Sequence, residues 1–191
     1  MKALNLLLVG ALAAAMQPMT AQNPGDLDPT FGDGGVVLSS PVSDNSMDNA
    51  RAIAIRPTGE IVFAGVSDGA GGFQATVGQL LPDGSLDASF GTAGVTHYSS
   101  TEGSCFAYDV VLEEDGHALV CGAVSLSGSN TAFAVWRLQP DGQFDVGFGD
   151  GGVLIVDLDE SEDYAQDLVV ANGTYTAVGS SKQPDNSLYR A

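Results

Sequence analysis

A unit recurring about every 58 residues, short strand-like runs within each unit, and glycine-bearing turns between those runs predict an all-β fold of β-propeller-type blades. The expected architecture is three four-stranded antiparallel repeats, at about 27–85, 86–143 and 144–191, with the last incomplete.

The recurrence has three independent markers. Leu27-Asp-Pro-Thr-Phe-Gly-Asp-Gly-Gly-Val36 aligns with Leu86-Asp-Ala-Ser-Phe-Gly-Thr-Ala-Gly-Val95 and with Phe144-Asp-Val-Gly-Phe-Gly-Asp-Gly-Gly-Val153; Phe31, Phe90 and Phe148 are 59 and 58 positions apart. The strand-like runs ending at Gly65, Gly122 and Gly179 are 57 apart each time. Leu81-Pro-Asp-Gly84 and Gln139-Pro-Asp-Gly142 are 58 apart.

The elements follow in order. The first unit offers strands at Val36–Ser40, Ala50–Arg56, Glu60–Ser67 and Gln74–Leu81. The second offers Val95–Ser99, Tyr108–Glu113, Ala118–Ser125 and Ala132–Leu138, and the third Val153–Asp157, Ala165–Val170 and Tyr175–Ser180. Lengths and spacings are those of strands, and no helical period of adequate length follows the N-terminal segment. Gly59, Asp115-Gly116 and Asn172-Gly173 mark hairpin turns between the second and third strands, where positive φ is needed. The Pro-Asp-Gly turns close the fourth strands, with Pro presetting φ. Each Phe-Gly motif reads as an aromatic plug that wedges between successive units. A parallel β-helix has shorter coils without regular hairpins, and a sandwich does not demand so regular a period.

The pattern Leu-Asp-x-x-Phe-Gly-x-x-Gly-Val, an Asp-Gly hairpin and a strand ending in Ala-Gly resembles the bacterial delta-60 repeat, over about Gly25 to Ala191. The second unit departs from the pattern at Thr92-Ala93, and the third at Phe144 and Gly147. The resemblance implies propeller-like repeats in a secreted or cell-surface bacterial protein. It implies no particular chemistry.

A closed ring takes roughly four to eight blades, more than three repeats supply. The third unit stops at Leu188-Tyr-Arg-Ala191, inside its fourth strand. The expectation is a piece of a longer repeat protein, or self-association through the open blade faces.

Residues 1–21 read as a signal peptide: Met1-Lys2, then a mostly apolar run to Ala15, with cleavage expected after Ala21. That run is too short to span a bilayer as a helix. Residues 22–191 then form the partial propeller. The formal net charge of -18 argues against nucleic acid and anionic membranes as partners. Cys105 and Cys121 fall on neighbouring strands joined at Asp115-Gly116. Pairing about that turn sets Cys121 opposite Val110, which leaves the thiols roughly 16 Å apart and unbridged.

Candidate chemistry is thin. Gly65-Val-Ser-Asp-Gly69 matches a hydrolase elbow pattern but is followed by another strand rather than a helix. His97 and His117 share no metal-ligand spacing with each other or with the cysteines. Asp83 with Asp87, and Asp141 with Asp145, present carboxylates that suit calcium or, more simply, turn capping. Trp136 and Tyr189 fall at matching places on fourth strands, with Arg137 and Arg190 beside them, and Trp136 is expected to be buried between sheets. Asn172-Gly-Thr174 matches a glycosylation sequon but coincides with a turn. Paired carboxylates for glycosidase work are not assigned, because the candidates lie in turns.

No catalytic, cofactor-binding or metal-binding residue is assigned. The expected function is a secreted, non-catalytic scaffold for a protein or carbohydrate ligand. The alternatives are an extracellular propeller enzyme, a polysaccharide lyase or hydrolase, and an inactive fragment. Two carboxylates or a histidine within hydrogen-bond reach at the ring axis would favour the enzyme.

Overall fold

The computed structural model describes residues 23–38, 47–69, 71–126, 130–158, 162–182 and 189–190. Residues 1–21, expected to be a signal peptide, lie outside them. The described residues hold strands β1 (Asp48–Ile55), β2 (Ile61–Gly69), β3 (Gly72–Leu80), β4 (Val95–Tyr98), β5 (Cys105–Leu112), β6 (Ala118–Ser125), β7 (Thr131–Leu138), β8 (Val153–Val156), β9 (Asp163–Ala171), β10 (Thr174–Lys182) and β11 (Tyr189–Arg190), and no helix. They form three antiparallel sheets, β1-β2-β3-β4, β5-β6-β7-β8 and β9-β10-β11.

Each four-stranded sheet is offset by one strand from the sequence unit. The strand after a Phe-Gly motif pairs with the strand before it, as in Val77 opposite Thr96 and Val135 opposite Leu154. The cause is the tight fold of the motif. Asp87 donates its N–H back to Gln79 O (2.9 Å), and Gln79 N–H reaches Gly94 O (3.1 Å), so the chain can only return alongside β3. The described part of the expected first strand Val36–Ser40, residues 36–38, therefore belongs to no sheet of its own unit. Val36 makes a single bridge to Gly32, Val37 and Leu38 are not in a strand, and 39–40 lie outside the described residues.

The sheets stack front to back. The back of the first sheet (Val62, Ala64, Val77) packs on the front of the second (Val110, Val120, Trp136). The back of the second (Leu119, Cys121, Val135) packs on the front of the third (Ala165, Leu168, Ala177). The aromatic plugs tie these layers. Gly32 N–H donates to Asp83 O (2.8 Å) and Gly91 N–H to Asp141 O (2.7 Å), one Phe-Gly motif reaching the next Pro-Asp-Gly turn each time. The Phe90 ring is buried and fills the space beside Gly142; Phe31 does the same at Gly84 and is half-buried, as is Phe148.

Two registers differ from expectation. The turn at Glu113–His117 is a wider, five-residue turn, closed by Glu113 N–H to His117 O (2.9 Å) with Gly116 at φ 88°. It sets Cys121 opposite Asp109, not Val110. Both cysteines are free and buried. Tyr189 pairs with Lys182, the place taken by Thr131 opposite Ser125, so it does not match Trp136. The Tyr-Arg and Trp-Arg pairs look alike in sequence but stand at different distances from Gly179 and Gly122. The Asn172-Gly173 turn fits its expectation, with φ of 51° and 72° between paired Ala171 and Thr174.

Candidate functional site on the leading strands

Strands β1, β5 and β9 lead their sheets, and they meet where the three sheets converge, β1 against β5 and β5 against β9. Each carries a β-bulge at the same place. Arg51, Tyr108 and Gln166 are the extra residues, facing no partner across the ladder. The glycines 57 apart stand opposite these bulges: a Cβ on Gly65, Gly122 or Gly179 would fall on the carbonyl oxygen of Asn49, Phe106 or Tyr164. Bulges re-aim side chains. Here they deliver Arg51, Tyr108 and Gln166 to one shallow, open depression shared with Tyr164 and Ser180.

The depression is aromatic with a polar edge. The Arg51 guanidinium carbon lies 4.5 Å from the Tyr108 ring centre, cation-π geometry. Tyr108 and Tyr164 meet edge to face at 6.4 Å, and Phe106 stacks beside Tyr108 at 6.3 Å. Gln166 Nε2 donates to Ser180 Oγ (3.5 Å). Burial pushes the Tyr108 phenol up, with Arg51 opposing the shift.

Two carboxylates stand beside this patch on strands rather than in turns. Asp109 and Asp167 are equivalent residues, each following the bulge, where the first sheet has Ala52. Both accept the Leu168 N–H, at 3.0 and 2.9 Å. Burial, and then a hydrogen bond and repulsion from Asp167, push the Asp109 carboxyl up. Direct contact leaves no room for the water or sugar that separates a glycosidase pair by at least about 5 Å. Sequence reading missed the pair because it lies 58 residues apart. Overlaying the strands at the bulge glycines would have exposed it. Cys121, opposite Asp109, donates to Ala165 O (3.5 Å), and burial pushes its thiol up to about 12; Cys105 is pushed up to about 11. Neither is a ready nucleophile at neutral pH.

The remaining sequence candidates are structurally accounted for. Ser67 is buried inside β2, so Gly65–Gly69 is no elbow. His97 Nδ1 meets Thr76 Oγ1 (2.9 Å), and burial pulls the imidazole down. Trp136 is buried against Tyr98, as expected. Asp83 and Asp141 cap the N–H of Ser85 (2.9 Å) and Gln143 (3.0 Å). Asp87 and Asp145 cap Ser89 and Gly147 through one oxygen and hold Gln79 and Arg137 through the other. His117 gathers with Glu113 and Asp115, their ligand-type atoms within 4.8 Å of one another, a grouping its sequence spacing did not suggest. The Arg137 guanidinium binds Glu113 (2.6 Å), Asp115 (3.3 Å) and Asp145, which makes this an ion-pair network at the rim.

Comparison with known proteins agrees with the architecture. Residues 56–90 and 113–148 match the profile of a family described as a domain of unknown function (DUF5122) beta-propeller. Each matched stretch runs from just past a leading strand to the phenylalanine of a Phe-Gly motif. The chain is a propeller-type repeat protein. Among solved structures, this propeller-type chain is similar to an exo-1,5-alpha-L-arabinanase from a bovine ruminal metagenomic library, at 16% identity and a TM-score of 0.43, covering 88% of this chain. The chain spans 60% of that structure's length. No curated protein matches.

Proposed function

We propose that this propeller-type chain is a secreted, non-catalytic binding module of the delta-60 repeat kind, and that it takes a neutral carbohydrate on the depression between the leading strands. One observation carries the reading. Three equivalent bulges bring Arg51, Tyr108 and Gln166 to a single patch with Tyr164 and Ser180. Aromatic faces flanked by planar donors and hydroxyls suit a polyhydroxylated ligand. The net charge of -18 disfavours acidic ligands. Support for export is the N-terminal segment read from the sequence.

A glycan array followed by calorimetry tests this. The expected result is binding of a neutral glycan without turnover, weakened about tenfold or more by Tyr108→Ala. Wild-type affinity in that variant would move the site elsewhere. Turnover of the bound glycan, lost in Tyr108→Ala, would favour an enzyme over the module.

A further inference from the structure

The two interior junctions show what the outermost faces are built for. Ile53, Val110 and Leu168 are equivalent, standing opposite Phe63, Val120 and Ala177. Val110 and Leu168 are 3% and 4% exposed at the junctions, whereas Ile53 is 65% exposed and its neighbour Ile55 63%. At the other end, Val178 is equivalent to Cys121, which is fully buried, and yet it is 55% exposed, as is Val169. Among the described residues, one face is a front without a back, and the other a back without a front.

A polar contact repeats the pattern. Asp109, on the back of the second sheet, accepts the N–H of Leu168 on the front of the third. The third sheet carries the same residue type at the equivalent place, Asp167, on its exposed back. The N–H equivalent to that of Leu168 on the exposed front belongs to Ile53. The front also holds an apolar cleft between Val37, Ile53, Ile61, Phe63 and Leu80, at the place that the first sheet's back fills on the second sheet.

We propose that these faces join two copies of the chain head to tail, the back of the third sheet of one copy seating on the front of the first sheet of the next, with Asp167 accepting the Ile53 N–H. The occupant is a second copy because the contact continues an interface the chain already makes twice, with matching apolar positions and a matching acceptor. Such a contact is heterologous, so it builds rings or open stacks.

Light scattering of the purified chain across concentration tests this. The wild type is expected to show masses at multiples of the monomer. A front variant (Ile53→Asp with Ile55→Asp) and a back variant (Val169→Asp with Val178→Asp) are each expected to be monomeric with unchanged circular dichroism. Mixed in equal amounts they are expected to form a dimer, since each keeps one intact face. Asp167→Ala, which leaves the Leu168 N–H on Asp109, is expected to weaken association about tenfold. A wild type that stays monomeric, a single variant that still associates, or a mixture that does not pair would each overturn the proposal. Unchanged association in Asp167→Ala would overturn the stated register.

Discussion

Asp109 ties the second sheet to the third through the Leu168 N–H, and it does so against the neighbouring carboxylate of Asp167. Burial and that neighbour hold its carboxyl above the ordinary range. The unfolded chain ionises it at about 3.9. Between that value and the raised folded one, the folded chain binds more protons, so the group's contribution to stability is present below about pH 4 and is lost as pH rises. Asp109→Asn keeps an acceptor for Leu168 without the charge. It should raise the melting temperature by ~3 °C at pH 7 and by little at pH 3; scanning calorimetry at both values checks it. Other residue-scale exchanges show the same positional logic between repeats. Where the first sheet pairs Phe63 with Gly78, the second pairs Val120 with Trp136, keeping one large ring per pair. Where the first holds Arg56 on Gln79, the second holds Arg137 on Glu113, so the cation has changed strands while the contact persists. Arg56 also reaches across to Gly116 O (2.6 Å), which links the first sheet to the turn of the second.

At the scale of the element, the bulged hairpin is the repeated device. Its glycine was legible as a spacing of 57, but its reason was not, because periodicity records which residue recurs and not which backbone it faces. The structure supplies the reason: the carbonyl before the bulge occupies the space a Cβ would need. Gly122→Ala is therefore expected to cost about 3 kcal/mol, at the upper end of ordinary substitutions, since relief requires moving β5 itself; urea unfolding measures it. Its φ is not in the left-handed region, so the cost is steric, not conformational. Turn residues were legible where glycine and asparagine chemistry dictates φ, as at Asn172-Gly173. They were not legible where the turn length was at issue. The five-residue turn at Glu113–His117 slipped the expected pairing by one and placed Cys121 opposite Asp109.

At the scale of the molecule, the three-unit plan, the strand content and the aromatic plugs were all readable from recurrence. What recurrence cannot read is phase. A repeat can be cut anywhere along its period, and the sequence units cut it at the Phe-Gly motif. The backbone cuts it one strand later, because the motif folds back over the end of β3 and returns beside it. The same phase explains why the candidate patch escaped notice: all its residues but Ser180 come from leading strands of three units, each unexceptional alone. It also makes successive units interdependent, since the unit ending at β3 is completed by the strand that opens the next. The fold rests on that overlap. Solution NMR measures it directly, through nuclear Overhauser effects between backbone protons of the strand after each Phe-Gly motif and its neighbours. The expected result is cross-strand contacts from Thr96 to Val77 and from Leu154 to Val135. Ladder contacts from Thr96 to the strand Cys105–Leu112, in place of Val77, would contradict it.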